Sequence, residues 1–134
     1  MSVGGLTTVE SRHGPTETLL RLETGIASHG MTIFARVDHA AGAKQAGMEL
    51  RPTTVVMFGA AKAGTPLMVM SQIIGLDLPL KALVWQDESG QTFVSYNDPV
   101  WLVRSFSLPE SASPIAEKMR AALAAVVNDA AADG

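Results

Sequence analysis

The stretch LKALVWQDESGQTFVSY, residues 80–96, decides the fold. Leu80–Gln86 and Thr92–Tyr96 are rich in β-branched and aromatic residues, which fit a pleated strand. Between them Asp87-Glu88-Ser89-Gly90 is dense in turn formers, so the two halves are expected to close a hairpin. So short a connection cannot cross over the sheet, as parallel neighbours require. The sheet is therefore expected to be mainly antiparallel, and a doubly wound parallel fold is disfavoured. With Ser89-Gly90 as a two-residue loop, Leu83 would oppose Tyr96 and Trp85 would oppose Val94.

Outward from the hairpin, Thr53–Phe58 (TTVVMF) is apolar on both faces at its centre, as an interior strand should be. Thr32–Asp38 (TIFARVD) alternates, with Ile33, Ala35 and Val37 on one side and Phe34, Arg36 and Asp38 on the other, which predicts a half-buried strand. Leu6–Ser11 supplies a first strand. A helix is expected from Pro15 to about His29, with Leu19, Leu22 and Ile26 on one face and Gly30 as its stop. His39–Gln45 reads as a short helical turn with Asp38 as N-cap. Thr65-Pro66 has the form of a cap followed by a first-turn proline, so a helix is placed over Leu67–Ile74. That segment is apolar nearly all round and should be covered by its own sheet or by another subunit. Asp98-Pro99 starts another helical turn, and Ser113-Pro114 starts a last helix running to about Ala131. Its buried stripe is read as Ile115, Met119, Ala122 and Val126, with Leu123 and Val127 alongside and Lys118 among the residues left mostly outside.

The order is thus β-α-β-α-β-α-β-β-α-α, an α+β fold whose helices pack on one face of a mainly antiparallel sheet. One domain over residues 1–134 is expected, with an ordered core of about 6–129. The chain has 134 residues, a formal net charge of −3 and no cysteine. Its Lys and Arg residues are scattered, which argues against a nucleic-acid partner. Without cysteine there is no disulfide, thiol nucleophile, thiolate zinc site or iron–sulfur cluster. The most apolar window, Leu67–Leu83, is broken by Gln72, Gly75, Asp77, Pro79 and Lys81, so it cannot supply the ~20 apolar residues of a membrane span. No secretory signal is visible at the N-terminus, so the expected compartment is the cytosol, with no membrane partner. A longer precursor would change that expectation.

Several short motifs follow one another over about residues 6–127. They are Val37-Asp38-His39, Ala46-Gly47-x-x-Leu50-x-Pro52-Thr53, Phe58-Gly59 and Gly64-Thr65-Pro66-Leu67-Met68, then Gly75-Leu76-Asp77-Leu78-Pro79-Leu80-Lys81 and Tyr96-Asn97-Asp98-Pro99. The series resembles the bacterial and archaeal family catalogued as domain of unknown function 302. One departure stands at Ala60-Ala61, where many members carry Asn-Pro. The resemblance implies a TBP-like α+β fold, an antiparallel sheet with helices on one face, often as a homodimer. It carries over no activity, and fold alone does not carry nucleic-acid binding.

Three groups of side chains could carry chemistry. Asp38 and His39 stand at a strand-to-helix junction, where a histidine near a carboxylate can exchange a proton. Neighbours on a strand point to opposite faces, so the pair need not touch, and a helix cap explains Asp38 equally well. Thr65 ends a loop containing Gly59, Lys62 and Gly64 at a helix N-terminus, which favours an anion. No Walker A run is present, and a plain cap accounts for it too. Lys81 and Trp85 share a strand face, and the two-residue-loop register brings Tyr96 beside them, forming a wall for an anionic, partly apolar ligand. Alternatively Lys81 pairs with Asp77 or Asp98 while the aromatics fill core or dimer contact. His13, His29 and His39 lack metal-ligand spacing, so no metal is expected, and no cofactor is implied.

The leading expectation is a small cytosolic homodimer that binds a small anionic or amphipathic molecule. Lys81, Trp85 and Tyr96 form the wall, with Asp38, His39 and Thr65 at its rim. The alternatives are an enzyme using Asp38 and His39 for proton transfer, and a structural or partner-binding module using the apolar helix Leu67–Ile74.

Overall fold

The computed structural model describes residues 4–133. In chain order the elements are β1 (Leu6–Glu10), α1 (Pro15–Ser28), β2 (Thr32–Asp38), α2 (His39–Gln45), β3 (Thr53–Gly59), α3 (Ala61–Met70), a 3-10 segment (Gln72–Asp77), β4 (Leu80–Gln86), β5 (Thr92–Asn97), α4 (Pro99–Ser105), a 3-10 turn (Glu110–Ala112) and α5 (Ser113–Ala131). The strands form one sheet in the order β1-β5-β4-β3-β2, and every neighbouring pair is antiparallel. This is the α+β architecture and element order that the hairpin and the hydrophobic periodicity predict.

Alternation along the strands sorts side chains between two faces. Val56 and Phe58 of β3, Ala82 and Val84 of β4, and Val94 and Tyr96 of β5 are buried. They meet Leu22 and Ile26 of α1 and Leu123, Val126 and Val127 of α5 in one core. In the last helix Met119, Leu123, Val126 and Val127 are buried as expected, while Ile115 and Ala122 are only half-buried and Ala116 takes the place of Ile115 in the core. Helix α1 lies against α5 with Gly25 facing Val126, where even an added Cβ would sit 3.6 Å from the valine Cβ. Arg21 donates to the carbonyls of Asp129, Ala130 and Ala132, so the exposed carbonyls at the end of α5 find a cation.

Three local expectations change. First, the hairpin has a three-residue loop, Glu88–Gly90, closed by a 2.9 Å bond from Asp87 N–H to the Gln91 carbonyl. The Asp87 carboxylate accepts from Ser89 N–H, Ser89 Oγ and Gln91 N–H, and Gly90 supplies the left-handed residue at φ +89°. The register therefore moves by one: Tyr96 opposes Ala82, and Trp85 opposes Phe93. Second, β2 carries an irregularity between Ile33 and Ala35. Ile33 opposes Phe58 but Ala35 opposes Met57, so the simple alternation breaks at Phe34 and most of β2 is exposed. Third, α3 begins at Ala61 rather than Leu67 and holds Pro66 inside, so Thr65 is no cap. Its N-cap is Ala60, which offers no side-chain acceptor. The Asn-Pro common in the resembling family falls at 60–61, where a cap and first-turn proline would stand.

Candidate functional site

A groove of about 700 Å³ lies between α3 and α5. Ala63, Gly64 and Met68 form the α3 wall, and Ile115, Met119 and Ala122 form the α5 wall. Gly75 and Leu78–Leu80 contribute from the lead into β4, while Phe34 and Met57 come from the β2–β3 edge. The glycines shape this space. A Cβ on Gly75 would lie 3.1 Å from Met68 Sδ, and one on Gly64 would meet Leu78 and Met68 at ordinary contact distance. Among the lining side chains Lys62 and Lys118 are the ones that carry charge, and Thr65 provides a hydroxyl. No ion pair involves either lysine among the described residues. A mostly apolar concavity with a few polar groups is the usual form of a small-molecule site.

The six residues singled out from sequence are not gathered into one wall. Thr65 lies in α3 and lines the groove. Lys81 and Trp85 sit on the opposite face of the sheet, turned away from α1 and α5, where their partners across the strands are Asn97 (by register) and Phe93. Tyr96, opposite Ala82, points into the helix-covered core and is 8% exposed. The one-residue shift of the hairpin moves it there. Burial pushes its phenol above the usual range, against the opposing hydrogen bond with Thr7. Asp38 and His39 are exposed at the end of β2, and Asp38 Oδ1 accepts from Ala41 N–H at 2.9 Å, which makes it the cap of α2. The carboxylate is aimed at the helix start, and His39 lines neither this groove nor the smaller cavity beside Lys81.

Lys81 pairs with neither Asp77 nor Asp98 among the described residues. It borders a smaller cavity of about 240 Å³ with Asp77, Asn97 and Trp101. Asp98 instead caps α4 through Val100 N–H and takes both Nε and Nη2 of Arg120, at 3.0 and 2.7 Å. The Arg120 guanidinium holds the Asp98 carboxyl below the usual carboxylate range, and Asp98 raises Arg120 in return. This pair ties α4 to α5.

On the face turned away from α1 and α5, Trp85 stacks on Phe93 with ring centroids 4.7 Å apart. Its indole N–H donates to Ser95 Oγ at 2.9 Å, and Ser95 Oγ also bonds Thr8 Oγ1 at 2.8 Å. Val37, Val55 and Leu83 lie on the same face by register. Exposed apolar side chains also stand on and after α3: Val69 is 80% exposed, Ile73 68% and Leu76 84%. The expectation that this segment is covered on more than one side therefore fails within the single chain.

Sequence reasoning missed Lys118, Met68 and Met119 as groove residues. A signal existed for the first: Ile115, Lys118 and Ala122 are spaced i, i+3, i+7, which places a lysine within an apolar helix stripe. The methionines carried none, because a core methionine and a groove methionine have the same spacing.

The profile of the family described as Domain of unknown function DUF302 matches residues 7–126. Among curated proteins, the Fluoride-specific ion channel FluC 1 of Brucella suis biovar 1 is 46% identical over 129 residues, covering 96% of this chain and 51% of that protein. The Fluoride-specific ion channel FluC 2 of Brucella melitensis biotype 1 is also 46% identical, and 48% of it is covered. The chain thus spans about half the length of the curated relatives it matches. The crystal structure of an uncharacterized conserved DUF302 protein from Bacillus stearothermophilus superposes with a TM-score of 0.86 over 96% of this chain and 99% of that one, at 21% identity. That likeness supports the fold.

Proposed function

The chain belongs to the DUF302 family, and from that premise and the groove geometry we propose that it binds a small anionic or amphipathic molecule between α3 and α5. The observation that carries this reading is the groove itself, an apolar concavity of about 700 Å³ whose charged lining side chains are two lysines. It is within the ~300–1,000 Å³ typical of small-molecule sites. The proposed site keeps Thr65 from the sequence reading and replaces the strand wall with Lys62, Lys118 and the methionines.

Homodimer formation is part of the same proposal, through the face turned away from α1 and α5, which bears Val55, Leu83, Trp85 and Phe93. Aromatic residues of this kind serve as anchors in stable interfaces. A cytosolic location, also expected from sequence, stays in the proposal and is checked by cell fractionation. The partner-binding alternative has one observation in its favour, the outward Val69, Ile73 and Leu76. The enzyme alternative gains none, since Asp38 is spent on capping α2 and no Asp38–His39 bond joins the pair among the described residues.

The ion conduction named for the Brucella relatives is assigned here to the part of those proteins beyond the match. Conduction needs spanning helices or a closed barrel. Among the described residues no helix is long and apolar enough to cross a membrane, and the five-stranded sheet is open, with β1 and β2 at its edges.

Native mass spectrometry of freshly purified protein tests both parts. The expected result is a dimer carrying a retained small-molecule mass that is absent from Gly64→Phe, whose ring fills the groove. Leu83→Asp is expected to give a monomer that still carries the ligand. A wild-type protein that never retains or takes up a small molecule, with Gly64→Phe indistinguishable from it, would sink the groove reading.

A further inference from the structure

We propose that the groove selects a flexible alkyl chain ending in a single anionic group, a long-chain carboxylate in chemical class, whose head is held by the Lys62 and Lys118 ammonium groups. The proposal deepens the groove reading and rests on it.

Matching of polar groups makes the first selection. The lining side chains include no Asp, Glu, Asn, Gln, Ser, His, Arg, Tyr or Trp, and one hydroxyl, on Thr65. A nucleotide, sugar or peptide would bring many donors and acceptors into a wall that cannot answer them, and each unanswered group opposes binding. A ligand with one polar end and an otherwise apolar body loses nothing there. Ring shape makes the second selection. Phe34 is the aromatic side chain of the lining, and it is 56% exposed, so no pair of rings forms a slot for a flat heterocycle. Met31, Met57, Met68 and Met119 instead supply unbranched, polarizable surface that adapts to a bending chain.

Charge makes the third. Lys62 stands on α3 and Lys118 on α5, on opposite walls, and no acidic side chain lines the groove. Two ammonium groups attract an anionic head and repel a cationic one. Because an ammonium is a point charge with rotatable donors, it holds a carboxylate without requiring a planar fork. Glu117 is next to Lys118, yet it lies near Arg120 at 3.5 Å, which draws it along α5 instead.

Isothermal titration of the purified chain with dodecanoate, dodecanol, dodecyltrimethylammonium and acetate, all below their micelle concentrations, tests this. Dodecanoate is expected to bind about tenfold more tightly than dodecanol, since two partly exposed ion pairs each contribute a few-fold. Dodecyltrimethylammonium and acetate are expected to show no binding. Lys62→Gln/Lys118→Gln should equalise dodecanoate and dodecanol, and both lysines are exposed, so the fold should tolerate it. The stricter Lys62→Glu/Lys118→Glu variant should bind dodecyltrimethylammonium in preference. Equal affinities of the wild-type protein for dodecanoate and dodecanol would overturn the carboxylate assignment and leave the groove reading standing. Binding of no probe, or equal binding by Gly64→Phe, would overturn both.

Discussion

The two faces of the sheet are made by the same strands and meet opposite fates. On one, Val56, Phe58, Val84 and Val94 are at most 2% exposed beneath α1 and α5. On the other, Val55, Leu83, Trp85 and Phe93 alternate with them along β3, β4 and β5, turned away from α1 and α5 and only half-buried. Apolar character alone does not separate the faces. What separates them is the register, because a single-residue slip exchanges every side chain between core and open surface.

The largest expected effect breaks the covered face. Phe58→Ala should lower stability by about 3–5 kcal/mol, as deletion of a fully buried ring leaves a cavity that cannot collapse. Val55→Ala, on the same strand but the opposite face, should cost about 1 kcal/mol or less because the side chain is only half-buried. Chemical denaturation midpoints compare the two, and equal losses would mean that the open face is as tightly packed as the core. A smaller pair of opposite sign contrasts two hydroxyls. Ser95 Oγ on the open face accepts the Trp85 indole N–H, so Ser95→Ala should cost about 1 kcal/mol. Thr92 Oγ1, on the covered face, is buried without a hydrogen-bond partner. Thr92→Val should therefore leave stability unchanged or raise it by up to about 1 kcal/mol, and thermal unfolding of both variants measures the difference.

The smallest effect concerns the seam where α4 and α5 close over β5. Asp98 is held below the ordinary carboxylate range by Arg120. Its folded form therefore binds a proton less readily than its unfolded form, which titrates at about 3.9. The stability it contributes is fully present above that unfolded value and is lost as pH falls through the lowered folded value. Asp98→Asn should flatten the fall of the unfolding midpoint with pH below about 4. Asp87, also lowered by its Ser89 hydrogen bond, should keep part of the slope. An unchanged acid limb would show that the Asp98–Arg120 tie carries no weight.

The sequence by itself determined the element order, the antiparallel sheet and the packing of helices against it. Those follow from short-range causes: the hairpin is too tight for a crossover, and the strand and helix periods are read within a few residues. Asp38 as the cap of α2 was legible for the same reason. Tertiary structure decided the rest. The three bonds that Asp87 accepts set a three-residue loop, and that one residue carried Tyr96 into the core and away from Lys81 and Trp85. Likewise Pro66 looked like a helix start but sits inside α3, so the extra turn places Lys62 on a groove wall opposite Lys118. Lys62 and Lys118 are 56 residues apart in a chain of 134. A cavity between two helices depends on how both pack on a third layer, and no local pattern in either helix encodes that distance.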